Sequence, residues 1–160
     1  MRQSHGDGRQ SHEMTGHYRH LFAMLGLSFI AMYVLMYAMV SSFANVYSNV
    51  NQVYMAGLMT APMALIELWI MRSMFTNRRT NAAIATTSAV IGVLCWVLIR
   101  QQIAVTDTQF LRSMIPHHAS AILMCQQAPV KDPSILELCK SIITSQQAEI
   151  DQMKGLLERR

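Results

Sequence analysis

The sequence predicts an all-α protein: three transmembrane helices followed by an extracytoplasmic antiparallel helical hairpin. Three observations carry that prediction. Apolar residues fill 52% of the 160 positions and charged residues 14%, a balance unsuited to a soluble globule or a disordered chain, since both spread charge along the sequence. Between Arg19 and Glu67 there is no Asp, Glu, Lys or Arg. Beyond Thr106, apolar residues recur at three- and four-residue steps, the period of a helix with one buried face. Seven Gly and four Pro are too few for fibrous or low-complexity material, and three Cys are too few for a disulfide framework. The formal net charge of +4 is mostly arginine beside apolar segments, so it reads as topology information and not as a nucleic-acid surface.

Residues 1–20 form a polar tail carrying His5, His12, His17, His20 and Met14. Such a tract could hold Cu(II), Ni(II) or Zn(II) weakly, but without an apolar core its default is a solvated, disordered tail. The first span runs from Leu21 to Val40, twenty uncharged residues, matching the roughly 20 that a helix needs to cross a hydrocarbon core. It is too long for the apolar stretch of a cleaved signal peptide and lacks a small-x-small site after it. The chargeless connection SSFANVYSNVNQ leads to a second span, Val53 to Met71, with Pro62 near its middle. A third span covers Ala82 to Ile99 and is closed by Arg100. The expected organisation is thus a tail (1–20), a transmembrane region (21–100) and a hairpin domain (106–160).

Orientation follows from the arginines. Arg2, Arg9 and Arg19 precede the first span and Arg72, Arg78 and Arg79 lie between the second and third, against Arg100 and Arg112 after the third. Basic residues stay on the cytoplasmic side. The amino terminus is therefore expected in the cytoplasm, and the segment from Thr106 onward outside it. In a bacterial inner membrane that places the hairpin in the oxidising periplasm.

Glu67 breaks the apolar pattern of the second span. An ionisable group at that depth costs a few kcal/mol and usually faces protein or water. It is a candidate intramembrane functional acid, with pairing to Arg72 or reach to the cytoplasmic interface as the plainer readings. Met55, Met59, Met63 and Met71 fall at intervals of four or eight around it. A row at that step spirals about the helix by roughly 40° each time, so ordinary lipid- or helix-facing methionines explain it better than a thioether path.

In the hairpin, Thr106 or Asp107 can cap a helix running to Gln127. APVKDPS breaks it, and Asp132 with Pro133 at the first helical position starts another that runs to Leu157. The inward seam of the first helix is Leu111, Met114/Ile115, His118, Ala121/Ile122 and Cys125. The second offers Cys139, Ile142/Ile143, Gln146, Glu149/Ile150, Met153 and Leu157. Antiparallel pairing brings Cys125 opposite Cys139, His118 opposite Gln146, and Met114 near Glu149. Polar groups on faces that should be apolar cost a few kcal/mol each unless partnered, so their convergence suggests a site. Pro116 either kinks a continuous helix beside the histidines or starts the main helix after a separate turn.

Met114, His117, His118, Met124 and Met153 combine thioether sulfur with imidazole nitrogen. Thioethers select Cu(I) or the similar Ag(I), and imidazole suits copper in both oxidation states. Zinc would call for three or four His or Cys at tight spacing, and a ferritin-type di-iron centre for several inward carboxylates; Glu149 is the one plausible inward carboxylate. The bland reading makes the histidines a surface pair and the methionines core filler. For Cys125 and Cys139 three readings stay open: a disulfide, soft ligands, or simple packing. Cys95, in the third span, reads as packing.

FLRSMIPHHASAILMC followed by SIITSQQAEIDQM resembles the DUF305 family, with its Met-Ile-Pro-His-His run and later Gln-x-x-Glu-Ile-x-x-Met run. The resemblance covers residues 106–157. It implies a ferritin-like helical half bundle and an extracytoplasmic copper-binding role, with Met114, His117, His118, Met124, Glu149 and Met153 as metal ligands. The three-span front part resembles a membrane-anchored subgroup of that family.

Two helices of about twenty residues bury too little surface to stand alone, so a homodimer or higher oligomer forming a four-helix bundle is expected. The reading is a membrane-anchored Cu(I)- or Ag(I)-binding protein serving copper sequestration or delivery, with copper-handling proteins and the lipid bilayer as partners. No enzyme is expected, since no nucleophile–base arrangement or phosphate loop is present. The alternative is a non-catalytic interaction protein whose hairpin docks on a partner.

Overall fold

The computed structural model describes residues 7–160, with side chains from Gly16 onward. The described residues are helical, without strands: α1 (Asp7–Leu35), α2 (Val50–Ile70), α3 (Arg78–Gln101), α4 (Asp107–Gln127) and α5 (Pro133–Glu158), with two short 3₁₀ turns, Met36–Met39 and Phe43–Asn45, after α1. Three stretches are long and apolar enough to cross a membrane: Gly16–Met39, Val50–Ile70 and Arg78–Gln101. They match the predicted spans, although Val40 and Met71, the expected last residues of the first two, fall one position beyond these stretches. The tail differs from expectation: α1 already begins at Asp7. A helix nucleated by the span propagates backwards cheaply through residues such as Arg9, Gln10 and Glu13. His5 lies outside the described residues.

The chain divides into two compact units, one of residues up to Tyr33 together with Tyr54–Gln101, the other of Val34–Val53 together with Gln102–Arg160. In the first, α2 and α3 approach closely through small residues. A Cβ on Gly57 would sit 2.8 Å from Cys95 Sγ, and one on Gly92 would sit 3.3 Å from the Ala61 methyl. Ala56, Ala61, Ala64 and Ser88 are buried along the same faces. Within lipid, where burial of apolar surface drives little association, such close backbone approach supplies the packing. Leu27, Trp69 and Val93 stand exposed, as lipid-facing side chains would. The end of this unit that holds Tyr18 is tied by its hydroxyl, which donates to Asn81 Oδ1 at 2.7 Å, while Asn81 Nδ2 donates to the Phe75 carbonyl at 2.7 Å.

The second unit explains why the first connection is polar yet uncharged. Its groups find partners on α4 and nearby: Val50 N donates to Gln109 Oε1 at 3.0 Å, Asn51 Nδ2 to Ser113 Oγ at 3.3 Å, and Tyr37 Oη to the Tyr47 carbonyl at 2.7 Å. Val40 and Tyr47 pack onto the core between α4 and α5, which is built from Leu111, Ile115, Ala119, Ile122, Ile150 and Met153. Thr106 caps α4, its hydroxyl accepting from Gln109 N. Asp132 caps α5 by accepting from Ser134 N and Ile135 N, and Pro133 sits in the first turn. Contacts between α4 and α5 join opposite ends: Asp107 pairs with Arg160 at 2.8 Å, His118 with Glu149 at 2.6 Å, and Cys125 hydrogen-bonds with Cys139. Helix α4 is continuous through Pro116, which excludes a separate turn ahead of a later helix start.

Candidate metal centre

The seam of α4 is set by helical geometry. Leu111, Ile115, His118, Ala119 and Ile122 are buried at three- and four-residue intervals. Neighbouring residues stand about 100° apart on a helix, and the four-residue steps back to Leu111 and on to Ile122 put the centre of the buried face nearer His118 than His117. His118 is 7% exposed and His117 is exposed. Their ring centroids lie 6.0 Å apart with planes at 64°.

Both nitrogens of His118 face oxygen. Nδ1 lies 2.9 Å from the Met114 carbonyl and Nε2 lies 2.6 Å from Glu149 Oε2. A carbonyl can only accept, so Nδ1 carries a proton and donates it. That fixes the ring and leaves Nε2 as the nitrogen whose protonation can change. The Nε2–Glu149 contact joins a buried imidazole to a carboxylate whose side chain is 54% exposed.

Glu149 is the partner where Gln146 was expected. Side chains lean toward the amino end of their own helix. His118 therefore reaches down α4 to the level of Met114, the level that Glu149 and Ile150 occupy on α5. Gln146 is left half-buried, and its Oε1 is buried with no hydrogen-bond partner.

Of the other predicted ligands, Met153 is buried in the core and Met114 packs against the same cluster. Met124 is 54% exposed. It lies six residues beyond His118, roughly 240° further round the helix, and turns away from the seam. The structure thus brings together Met114, His118, Glu149 and Met153, and leaves His117 and Met124 outside. Among the described residues no three His, Cys, Asp or Glu side chains gather closely enough to hold a metal ion.

Cys125 and Cys139 lie beside each other on the two helices, and all three cysteines are free thiols. The hydrogen bond to Cys139, then burial, then repulsion from a neighbouring thiolate push the Cys125 thiol above its ordinary value. Glu67 sits elsewhere, in the first unit. It lines a cavity with His17, His20, Met24, Met71 and Met74, and among the described residues it forms no ion pair with Arg72. Sequence reasoning missed this cavity, although His17, His20, Leu21 and Met24 share one face of α1 by their spacing.

Residues 70–157 match the family model described as a domain of unknown function, DUF305. The chain belongs to the DUF305 family. The match begins at Ile70 and so takes in α3 as well as the two motif helices, more than the motifs alone indicated. The chain is also similar to an uncharacterized protein of Acanthamoeba polyphaga mimivirus, with 34% identity over 143 residues that cover 88% of this chain and 92% of the viral one. No solved structure matches.

Proposed function

We propose that this protein is a membrane-anchored metal-binding protein that holds Cu(I), or Ag(I), between α4 and α5 for sequestration or delivery. The observation that carries the reading is the setting of His118. Its Nδ1–H is anchored on the Met114 carbonyl, so Nε2 is presented to Glu149, alongside the core to which Met153 belongs and against which Met114 packs. The donor set fits a soft monovalent ion of low coordination number: one imidazole, two thioethers and a carboxylate at the rim. Bound there, the ion would be held and passed on, and the residues supply binding without turnover. His118 and the two thioethers would grip it, while the Glu149 carboxylate would offset the charge.

The arginine distribution supports an outward-facing α4–α5 pair and a cytoplasmic amino terminus. A bacterial-type inner membrane is the setting in which that orientation delivers the site to an oxidising compartment. Thioethers suit that compartment because they neither form disulfides nor protonate. Two α4–α5 pairs from two copies would complete a ferritin-like four-helix bundle, covering the exposed Ile135, Leu136 and Leu138. A copper-handling protein would be the recipient.

Those same exposed residues favour a second reading, in which α5 docks on another protein and the His118–Glu149 pair is structural. A competition titration of the full chain in detergent with Cu(I) separates the two. Loss of tight binding in a Met114→Ala/His117→Ala/His118→Ala variant supports the metal reading, and unchanged binding leaves the docking protein as the better account.

A further inference from the structure

Glu67 and the tail histidines lie far apart in sequence, yet the first unit gathers them. His17, His20, Leu21 and Met24 occupy one face of α1 at three- and four-residue steps. Glu67 near the end of α2, with Met71, Met74 and Phe75 in the turn after it, supplies the opposite wall. Between them is a cavity of about 220 Å³. Its base is apolar and fixed: Leu21, Phe75 and Ile84 are buried there, with Met24 and Met71 packed against them. Tyr18 stacks at a tilt on Phe75, with ring centroids 5.1 Å apart.

The chemistry of the lining is narrow. Met24, Met71 and Met74 contribute three thioethers, His17 and His20 two imidazoles, and Glu67 one carboxylate. His17 Nδ1 is buried without a hydrogen-bond partner, an unmet bond that a ligand would supply. The Met24 sulfur accepts a hydrogen bond from Ser28 Oγ at 3.5 Å, which orients it. The volume is below the roughly 300 Å³ at which small-molecule pockets begin, yet ample for one ion with movement of its ligands. No three His, Cys, Asp or Glu gather among the described residues, which disfavours a zinc-type site. A single carboxylate balances one positive charge and would leave a divalent ion uncompensated at the end of a membrane span.

We propose that this cavity is a second site for a soft monovalent cation, Cu(I) or Ag(I), gripped by Met24, Met71 and His17, with Glu67 as the neutralising charge. It lies in a different unit from the α4–α5 site and does not depend on it. It gives Glu67 and the tail histidines a shared role in holding the ion at the base of the spans.

Ag(I) is the probe. The full-length chain in detergent is equilibrated with Ag(I), and bound silver is counted by mass spectrometry of the metal. A Met24→Leu/Met71→Leu variant keeps side-chain volume while removing two sulfurs. It is expected to lose one equivalent of silver, or at least tenfold in affinity at that site. A Met114→Leu/His118→Gln variant is expected to leave this equivalent in place. A second measurement works on the unaltered protein: Ag(I) should protect Met24 and Met71 from peroxide oxidation, read peptide by peptide. Full silver retention by the Met24/Met71 variant, or equal oxidation of those residues with and without silver, overturns the proposal. Silver lost from the Met114/His118 variant alone would overturn it too, while sparing the α4–α5 reading.

Discussion

Met153→Leu separates a ligand from a core residue. Met153 is 9% exposed and belongs to the cluster of six buried residues between α4 and α5. Truncation to alanine there would open a cavity worth about 2–5 kcal/mol, confounding stability with binding. Leucine keeps the volume, and such exchanges usually cost under about 1.5 kcal/mol. The sulfur, however, is gone. If it is one of the few donors to a monovalent ion, Cu(I) affinity should fall at least tenfold, which corresponds to about 1.4 kcal/mol. Met124→Leu is the matched control, because Met124 is 54% exposed and turned from the seam. The assay is Cu(I) competition against a chromogenic chelator on the full chain in detergent, beside a thermal unfolding curve for each variant. A Met153→Leu protein that keeps wild-type affinity would refute the assignment of Met153 as a ligand, and equal losses in both variants would refute the geometric distinction between them.

Three further outcomes follow from the same contacts. His117→Ala should leave Cu(I) affinity within about twofold, whereas His118→Ala should lower it at least tenfold, because only His118 lies in the seam; the same titration reads both. Ile150→Ala removes a side chain with no exposure and should cost the second unit about 2–5 kcal/mol, while Met124→Ala, at a site 54% exposed, should stay within about 0.5 kcal/mol; limited proteolysis between α4 and α5 against urea compares them. Cys125, whose thiol is raised by its hydrogen bond to Cys139, should have a smaller thiolate fraction than an ordinary cysteine at any pH below its own titration. Its iodoacetamide labelling curve should therefore lie at higher pH, and Cys139→Ala should move it back down, which peptide-resolved labelling measures.

Much of the fold was legible because its causes are local. The spans declare themselves by runs of uncharged apolar residues long enough to cross a bilayer. The start of α5 declares itself through Asp132 and Pro133, where one carboxylate meets two free backbone N–H groups and a proline needs no donor. The site was half legible. The residue types of the candidate site and its place on α4 and α5 could be read from spacing, and His118 does meet α5 there, at Glu149. The division between His117 and His118 could not be read. It depends on how α4 is rotated about its axis, and on that rotation the long-range packing of Ile115 and Ile150 decides. The Gln146 expectation failed for a related reason: level-matching by residue number ignores the lean of side chains toward the helix amino terminus.

The sequence by itself determined that this chain is helical, that three segments suit a bilayer, and that α4 and α5 carry polar groups and methionines on faces that should be apolar, since transfer free energy and helical period act over a few turns. Tertiary structure alone decided which histidine turns inward, that Glu149 takes its Nε2, and that Glu67 shares a cavity with residues fifty positions away. These depend on the rotation and depth at which separate helices lock together. Close packing fixes those quantities through contacts between residues that no local pattern connects.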